Sequence, residues 1–231
     1  EIACVLTDLM PHRVGLRPAD QDYIEALREW TDKDGSLLVF DEVITFRSTY
    51  GGAQKWYPVT PDLTAMGKMI GGGFPVGAIA GRAQVMDVMN PLADKVLFPH
   101  SGTFSANPIT MTAGLVTMQH FDEAAVKHVN ALNARAMNGI IEAIAQTGIK
   151  ACVTGGGSMF RIHMKEQIPT NYREAYASPE EAARLTALLD HLFQEGFIMV
   201  NTGSALMATT LTNDHIDSLV AAIQSGFEKV R

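Results

Sequence analysis

The chain has 231 residues, 47% of them hydrophobic and 19% charged, with a formal net charge of −7. That length can bury a real core, as one large or two small domains, and the composition is that of a soluble globular protein. The acidic balance leaves no basic footprint for nucleic acid, no apolar run is long enough to span a bilayer, and no basic-then-apolar leader is read at its start.

Cys4 and Cys152 lie in apolar surroundings without CxxC spacing. This predicts buried thiols in a reducing compartment, with the cytoplasm as the default location. In chain order, Ile2–Thr7 predicts a buried strand and Met10–Arg17 a loop. Pro18 opens a helix that runs through about Lys33 and stops at Gly35. Ser36–Val43 is an almost unbroken apolar run, read as a strand covered on both faces as in a parallel sheet. The three segments make a strand–helix–strand unit. Thr45–Pro61, rich in Gly, Pro and aromatics, has the length of a functional loop, in which Trp56 and Tyr57 read as anchors. Leu63–Met66 and Val76–Ala80 predict short strands. Between them, Gly71, Gly72 and Gly73 allow close backbone approach, positive φ or a flexible turn. Ala83–Met89 predicts a short helix.

His100–Pro108, HSGTFSANP, is a polar loop leading into a helix from about Pro108 to Phe121. Its hydroxyls and backbone N–H groups suit an anion or, equally, a helix cap. Asp122–Gln146 carries Val126, Val129, Leu132, Ala136, Ile140 and Ile144 at spacings of three or four, a long amphipathic helix ended by Gly148. Beyond it, Ser158–Met164, Phe197–Val200 and Leu206–Leu211 are strand-like. One helix starts with the capping box of Ser178-Pro179-Glu180-Glu181 and stops at Gly196. Another runs from about Asn213 to Lys229, acidic early and basic late. Mixed in this way, the C-terminal part predicts a small α+β domain.

Chemistry concentrates between Ser36 and Gly77. Asp41 and Glu42 end an apolar strand, where open α/β sheets place their ligands. Adjacent on a strand, they point to opposite faces, which disfavours a paired-carboxylate hydrolase. Asp41 alone could equally be an ion-pair or capping residue. Lys68 has Leu63, Ala65, Met66, Met69 and Ile70 around it, so its amine is expected to be partly desolvated, which favours a neutral nucleophile. On its own it reads as a surface lysine. Pyridoxal phosphate requires both parts: a lysine to form a Schiff base and a carboxylate to keep the pyridine nitrogen protonated. No metal site is expected, because no histidine shows metal-binding spacing, and GxSxG is absent. His120, His128 and His191 read as surface or packing residues on helices.

The ordered run FDEV, YGGAQ, PDLT, GK, IGGGFPVGA and HSGTFSANP resembles the class III aminotransferases. It is most similar to the branch holding glutamate-1-semialdehyde aminomutase and β-amino-acid aminotransferases. The resemblance runs from about Ile2 to the C-terminus. It implies a fold-type-I α/β protein: residues 1–148 as part of a large, mainly parallel-sheet, pyridoxal-phosphate domain with its connecting helix, and residues 149–231 as a small C-terminal α+β domain. It implies Lys68 as the Schiff-base lysine, Asp41 as the partner of the pyridine nitrogen and Val43 against the cofactor ring. Thr103, with Gly102 beside it, would bind the phosphate of the cofactor in the other subunit of a homodimer with shared sites.

Family members are longer, so the chain is expected to be the C-terminal portion of such an enzyme. The phosphate loop and ring-stacking aromatic would lie in the N-terminal half. Two departures stand out. Asp8-Leu9 replaces the family's glutamate-proline pair. Gly203 occupies the position of the aminomutase glutamate, and Thr202 stands near the arginine that many ω- and β-aminotransferases use for a substrate carboxylate. The expected reaction is therefore amino transfer between an amino acid or amine and an oxo acid, with the aminomutase reaction or a non-catalytic fragment as alternatives.

Overall fold

The computed structural model describes residues 1–231. The chain groups into two compact units, Glu1–Leu9 with Ala19–Glu123, and Met10–Pro18 with Ala124–Arg231. The elements in order are β1 (Cys4–Asp8), α1 (Gln21–Asp34), β2 (Leu37–Asp41), β3 (Leu63–Gly67), β4 (Gly77–Gly81), α2 (Ala83–Met86), α3 (Pro108–His120), α4 (Glu123–Thr147), β5 (Cys152–Gly156), β6 (Met159–His163), α5 (Tyr172–Ala175), α6 (Pro179–Gln194), β7 (Ser204–Leu206) and α7 (Asn213–Val230). This division falls at the start of α4 and groups the long helix with the C-terminal strands, whereas the boundary read from the sequence lies near Ile149.

In the first unit the sheet order is β1-β2-β3-β4. β1, β2 and β3 are parallel, and β4 is antiparallel to β3. The expected strand–helix–strand unit is present, with Leu9, Ile24, Leu38, Phe40 and Ala53 as its core. Ile24 lies on α1, Leu38 and Phe40 on one face of β2, and Ala53 in the loop that follows it. Trp56 and Tyr57 pack on the same cluster. The Tyr57 hydroxyl donates to the Ala19 carbonyl at 2.9 Å, and burial pushes its pKa up to about 12. Both aromatics are loop anchors.

Some expectations need correction. β1 is not a buried strand: Cys4 is exposed and Leu6 is 61% exposed. The reason is topological, since β1 is an edge strand hydrogen-bonded only to β2. Apolar composition reports a preference for burial, and position in the sheet decides whether it is met. Cys152, by contrast, is buried, and desolvation pushes its thiol up to about 11, an inert state for a thiol.

Asp62, just before β3, ties this unit together. Its carboxylate accepts from the Leu38 N–H at 2.7 Å, from Arg28 Nη1 at 2.9 Å and from Arg82 Nη1 at 2.8 Å. Burial pushes its pKa up, but the Leu38 N–H and the two guanidinium groups outweigh this and hold it below the usual value.

The second unit carries the sheet β5-β6-β7, antiparallel throughout. α4 buries the predicted stripe Val126, Val129, Leu132, Ala136 and Ile140, and also Ala143 and Thr147. α6 begins with the expected capping box of Ser178 and Glu181, and Gly196 follows it at φ 89°. α7 buries Ile216, Leu219, Ile223 and Phe227. The predicted strand at Phe197–Val200 is absent, and Ile198 is 85% exposed. The strand expected over Leu206–Leu211 lies earlier, at Ser204–Leu206. β5 was not predicted: Gly155, Gly156 and Gly157 obscure its pattern. The fold requires Gly155, because a Cβ there would collide with the Met159 carbonyl of the paired strand.

His163 on β6 is buried, with Nε2 2.9 Å from Thr154 Oγ1 and 3.2 Å from the Gly15 carbonyl. Desolvation, helped by the nearby Arg161 charge, lowers its pKa to about 4.

Two predictions follow from these buried groups. Asp62→Ala should cost roughly 1–3 kcal/mol in urea unfolding, because it leaves the buried Leu38 N–H without its acceptor and removes the carboxylate that Arg28 and Arg82 share. Its folded pKa is depressed, so its contribution is intact above the unfolded value of about 3.9 and lost as pH falls below it. An unchanged unfolding midpoint would refute this role. For His163, the unfolded chain takes up a proton first as pH falls. Its contribution is therefore complete above about pH 6.5 and declines by roughly 3 kcal/mol towards pH 4. His163→Gln should flatten that part of the stability profile, and an equally steep profile would count against the assignment.

Candidate active site

The carboxyl ends of β2 and β3 lie side by side. The register pairs Asp41 with Ala65, and the Glu42 N–H donates to the Ala65 carbonyl at 2.9 Å. Asp41 ends β2 half-buried, and its Oδ1 accepts from the Val43 N–H at 3.0 Å. β3 ends at Gly67, with Lys68 next. Val43 Cγ1 lies 3.4 Å from where a Cβ on Gly67 would sit. Three of the predicted residues, Asp41, Val43 and Lys68, thus gather at one end of two adjacent parallel strands.

Lys68 differs from expectation in one respect. Its apolar neighbours suggested a desolvated amine, yet the residue is exposed in this chain. The cause is local. Lys68 takes φ 49°, a left-handed value rare for a residue with a Cβ, and begins a 3-10 turn over Lys68–Gly71. The turn removes it from the strand and from the burial its neighbours would impose. Such strained residues concentrate where geometry serves function.

The glycines after Lys68 have a specific use. A Cβ on Gly72, at φ 60°, would collide with the Ala113 carbonyl of α3, and one on Gly114 of α3 would collide with the Ile70 carbonyl. Only bare backbone on both sides lets the turn sit this close to the helix. α3 starts with Pro108, and its Asn107 cap accepts from the Thr110 N–H at 2.9 Å. The helix-cap reading of the HSGTFSANP loop therefore holds for Asn107. Gly102 and Thr103, earlier in the same loop, are exposed.

Glu42 is the residue whose role the sequence reading did not identify. It is fully buried, and it accepts from the Ala53 N–H at 2.6 Å, the Gln54 N–H at 2.9 Å and the Thr45 hydroxyl at 3.1 Å. Burial raises its pKa, and the donors from the loop offset part of that rise. Gly52, at φ 89°, makes room for it, since a side chain there would run into the carboxylate. The available signal was strand alternation: with Asp41 on one face, Glu42 had to enter the core and find donors. Arg47, in the same loop, is desolvated, which lowers its pKa, and it sits 5.9 Å from the Phe121 ring centroid, within cation–π range.

The donor set fits pyridoxal phosphate: a carboxylate able to accept from a protonated ring nitrogen, an amine able to hold an aldehyde carbon, and an apolar Val43 beside them. No group of three or more His, Cys, Asp or Glu is placed to hold a metal ion.

Comparison with known proteins shows what the whole chain is similar to. The chain is 38% identical to an ω-transaminase from Sphaerobacter thermophilus, with a TM-score of 0.95 over 99% of this chain and 52% of that one. It is 32% identical to a transaminase with PLP bound, TM-score 0.89, over 99% and 52%. It is 35% identical to glutamate-1-semialdehyde 2,1-aminomutase 2 of Brevibacillus brevis, over 99% of this chain and 53% of that protein. The chain therefore spans about half the length of the relatives it matches. The model of the aminotransferase class-III family matches residues 1–227, and the chain belongs to that family.

Proposed function

We propose that this chain takes part in pyridoxal-phosphate-dependent amino transfer between an amino acid or amine and an oxo acid, with Lys68 and Asp41 as its catalytic pair. The observation that carries the reading is a carboxylate and an amine at the same ends of adjacent parallel strands, the amine on a left-handed residue. When bound, pyridoxal phosphate supplies an electron-withdrawing ring that takes up the electron pair left on the substrate carbon. Asp41 would accept a hydrogen bond from the ring nitrogen and keep it protonated. The Val43 N–H on Oδ1 restrains that carboxylate. Lys68 would hold the aldehyde carbon and, once released, would move a proton at the substrate carbon. Val43 would lie against the ring.

Exposure of Gly102 and Thr103 suits a loop that serves the phosphate site of a second subunit, and so a homodimer with shared sites. Residues 1–148 form part of the large domain and 149–231 the small one, with α4 as the connection. No helix is long and apolar enough to cross a membrane. The two free cysteines support a cytoplasmic location.

The aminomutase reaction is the second reading, favoured by the relative from Brevibacillus brevis. Against it stands Gly203. Its φ is 78° and a Cβ would meet the Ile162 carbonyl at 2.7 Å, so this turn has no room for the glutamate that the aminomutase resemblance places there.

Added pyridoxal phosphate should give a saturable, red-shifted absorption band that Lys68→Ala abolishes and that an amino donor bleaches. The absence of a band in the parent chain would overturn the reading for this chain. Among the two neighbouring carboxylates, Asp41→Ala should lower turnover about a hundredfold or more while shifting unfolding by less than about 1 kcal/mol. Glu42→Ala should instead destabilise by roughly 2–4 kcal/mol. The reverse pattern would exchange their roles. Amino transfer to pyruvate or 2-oxoglutarate, set against isomerisation of glutamate 1-semialdehyde without an acceptor, separates the two reactions.

A further inference from the structure

His191, on α6, is buried, and both of its ring nitrogens meet side chains of α7. Nδ1 lies 3.0 Å from Lys229 Nζ, and Nε2 lies 3.2 Å from Ser225 Oγ. Ser225 and Lys229 are four residues apart on one helix, so they stand on the same face and bracket the ring. The ring packs against the α7 backbone at Gly226, where an added Cβ would come within 2.8 Å of His191 Cδ2. Its position is therefore set by the contact between the two helices.

These contacts assign the tautomer. An ammonium donates and has no acceptor, so Nδ1 must offer its lone pair to Lys229. Nε2 then carries the ring proton and donates to the Ser225 hydroxyl oxygen. Other lysines of the chain are held differently. Lys33 lies 2.6 Å from Glu29 and Lys165 lies 3.1 Å from Glu181, partners that answer a cation with an anion. Lys229 is exposed, and its amine meets a neutral base instead. An accessible amine with an oriented imidazole to take its proton is the arrangement of an activated nucleophile.

We propose that Lys229 is an acylation site, modified by small acyl thioesters, with His191 as the proton acceptor and Ser225 as the residue that positions the imidazole. The Lys229 ammonium passes a proton to Nδ1, and the freed nitrogen attacks the thioester carbonyl. The N–C bond forms and the C–S bond breaks. The leaving thiolate takes the proton from His191 and becomes a thiol, and the second amine proton goes to water. Nothing is oxidised or reduced. The product is an amide, which removes the cation from the last turn of α7. The site lies within the second unit, and the proposal does not depend on the amino-transfer chemistry.

The test is a time course with S-acetyl-N-acetylcysteamine on the purified chain, without added cofactor, followed by peptide mass spectrometry that resolves each lysine. Lys127 and Lys150 are exposed and serve as the internal comparison. Lys229 should acylate at least about tenfold faster than either. His191→Asn keeps an acceptor near the Nδ1 position but has no basic nitrogen. It should bring Lys229 down to the rate of the other two and leave theirs unchanged. Ser225→Ala should slow Lys229 several-fold. A parent rate at Lys229 no faster than at Lys127 and Lys150 would overturn the proposal and leave His191 as a packing residue. An undiminished Lys229 rate in His191→Asn would overturn it equally. If that variant does not fold, Ser225→Ala decides the point, and an undiminished rate there counts against the proposal.

Discussion

A buried carboxylate governs the shape of the candidate site. Glu42 enters the core because it follows Asp41 on a strand, and once there it must be satisfied by donors from the protein. The loop after β2 supplies them from Thr45, Ala53 and Gln54, with Gly52 leaving the space. The same loop contributes Ala53, Trp56 and Tyr57 to the core of the first unit. Satisfying Glu42 therefore closes the loop, and the closed loop fixes the end of the strand that presents Asp41 on the other face. Two neighbouring acids divide the work between structure and proposed chemistry through the two-residue period of a strand.

A second constraint acts on the lysine. The turn from Lys68 to Gly71 is held against α3 by glycine on both sides, where even a methyl group would collide with a carbonyl. This contact positions the turn, and the turn carries Lys68 out of the strand with a backbone conformation that a lysine rarely adopts. The exposure of Lys68 thus follows from the way the chain leaves β3. The other faces of α3 leave Ile109, Leu115 and Val116 largely exposed in this chain.

The second unit uses polar groups differently. Its apolar side is built from the stripe on α4 and the buried faces of α6 and α7. Its polar sheet face is covered by a short segment from far earlier in the sequence. Across that face, His163 is held neutral by burial with Thr154 and the Gly15 carbonyl around it, while Arg161 keeps a charge for which the unit provides no anion. His163 Nε2 has two polar neighbours there, whereas Arg161 pairs through Nη1 and leaves its Nε without a partner.

Much of this was legible from residues alone. Local signals place α3, α4, α6 and α7 almost to the residue, because proline, capping boxes and a 3.6-residue apolar period act within a turn or two of chain. The strand–helix–strand order and the glycine run after Lys68 are likewise local, and the ordered motifs point to the class III family. Tertiary structure alone decided the rest. The exposure of β1, the absence of a strand at Phe197–Val200 and the presence of β5 all depend on which strand finds a partner, and pairing joins residues far apart in sequence. The clamp on Glu42, the outward turn of Lys68 and the meeting of His191 with Ser225 and Lys229 share that origin. A sequence determines each residue's chemistry and its nearest periodicity, whereas burial and hydrogen-bond partnership are properties of surfaces that meet only when distant segments pack.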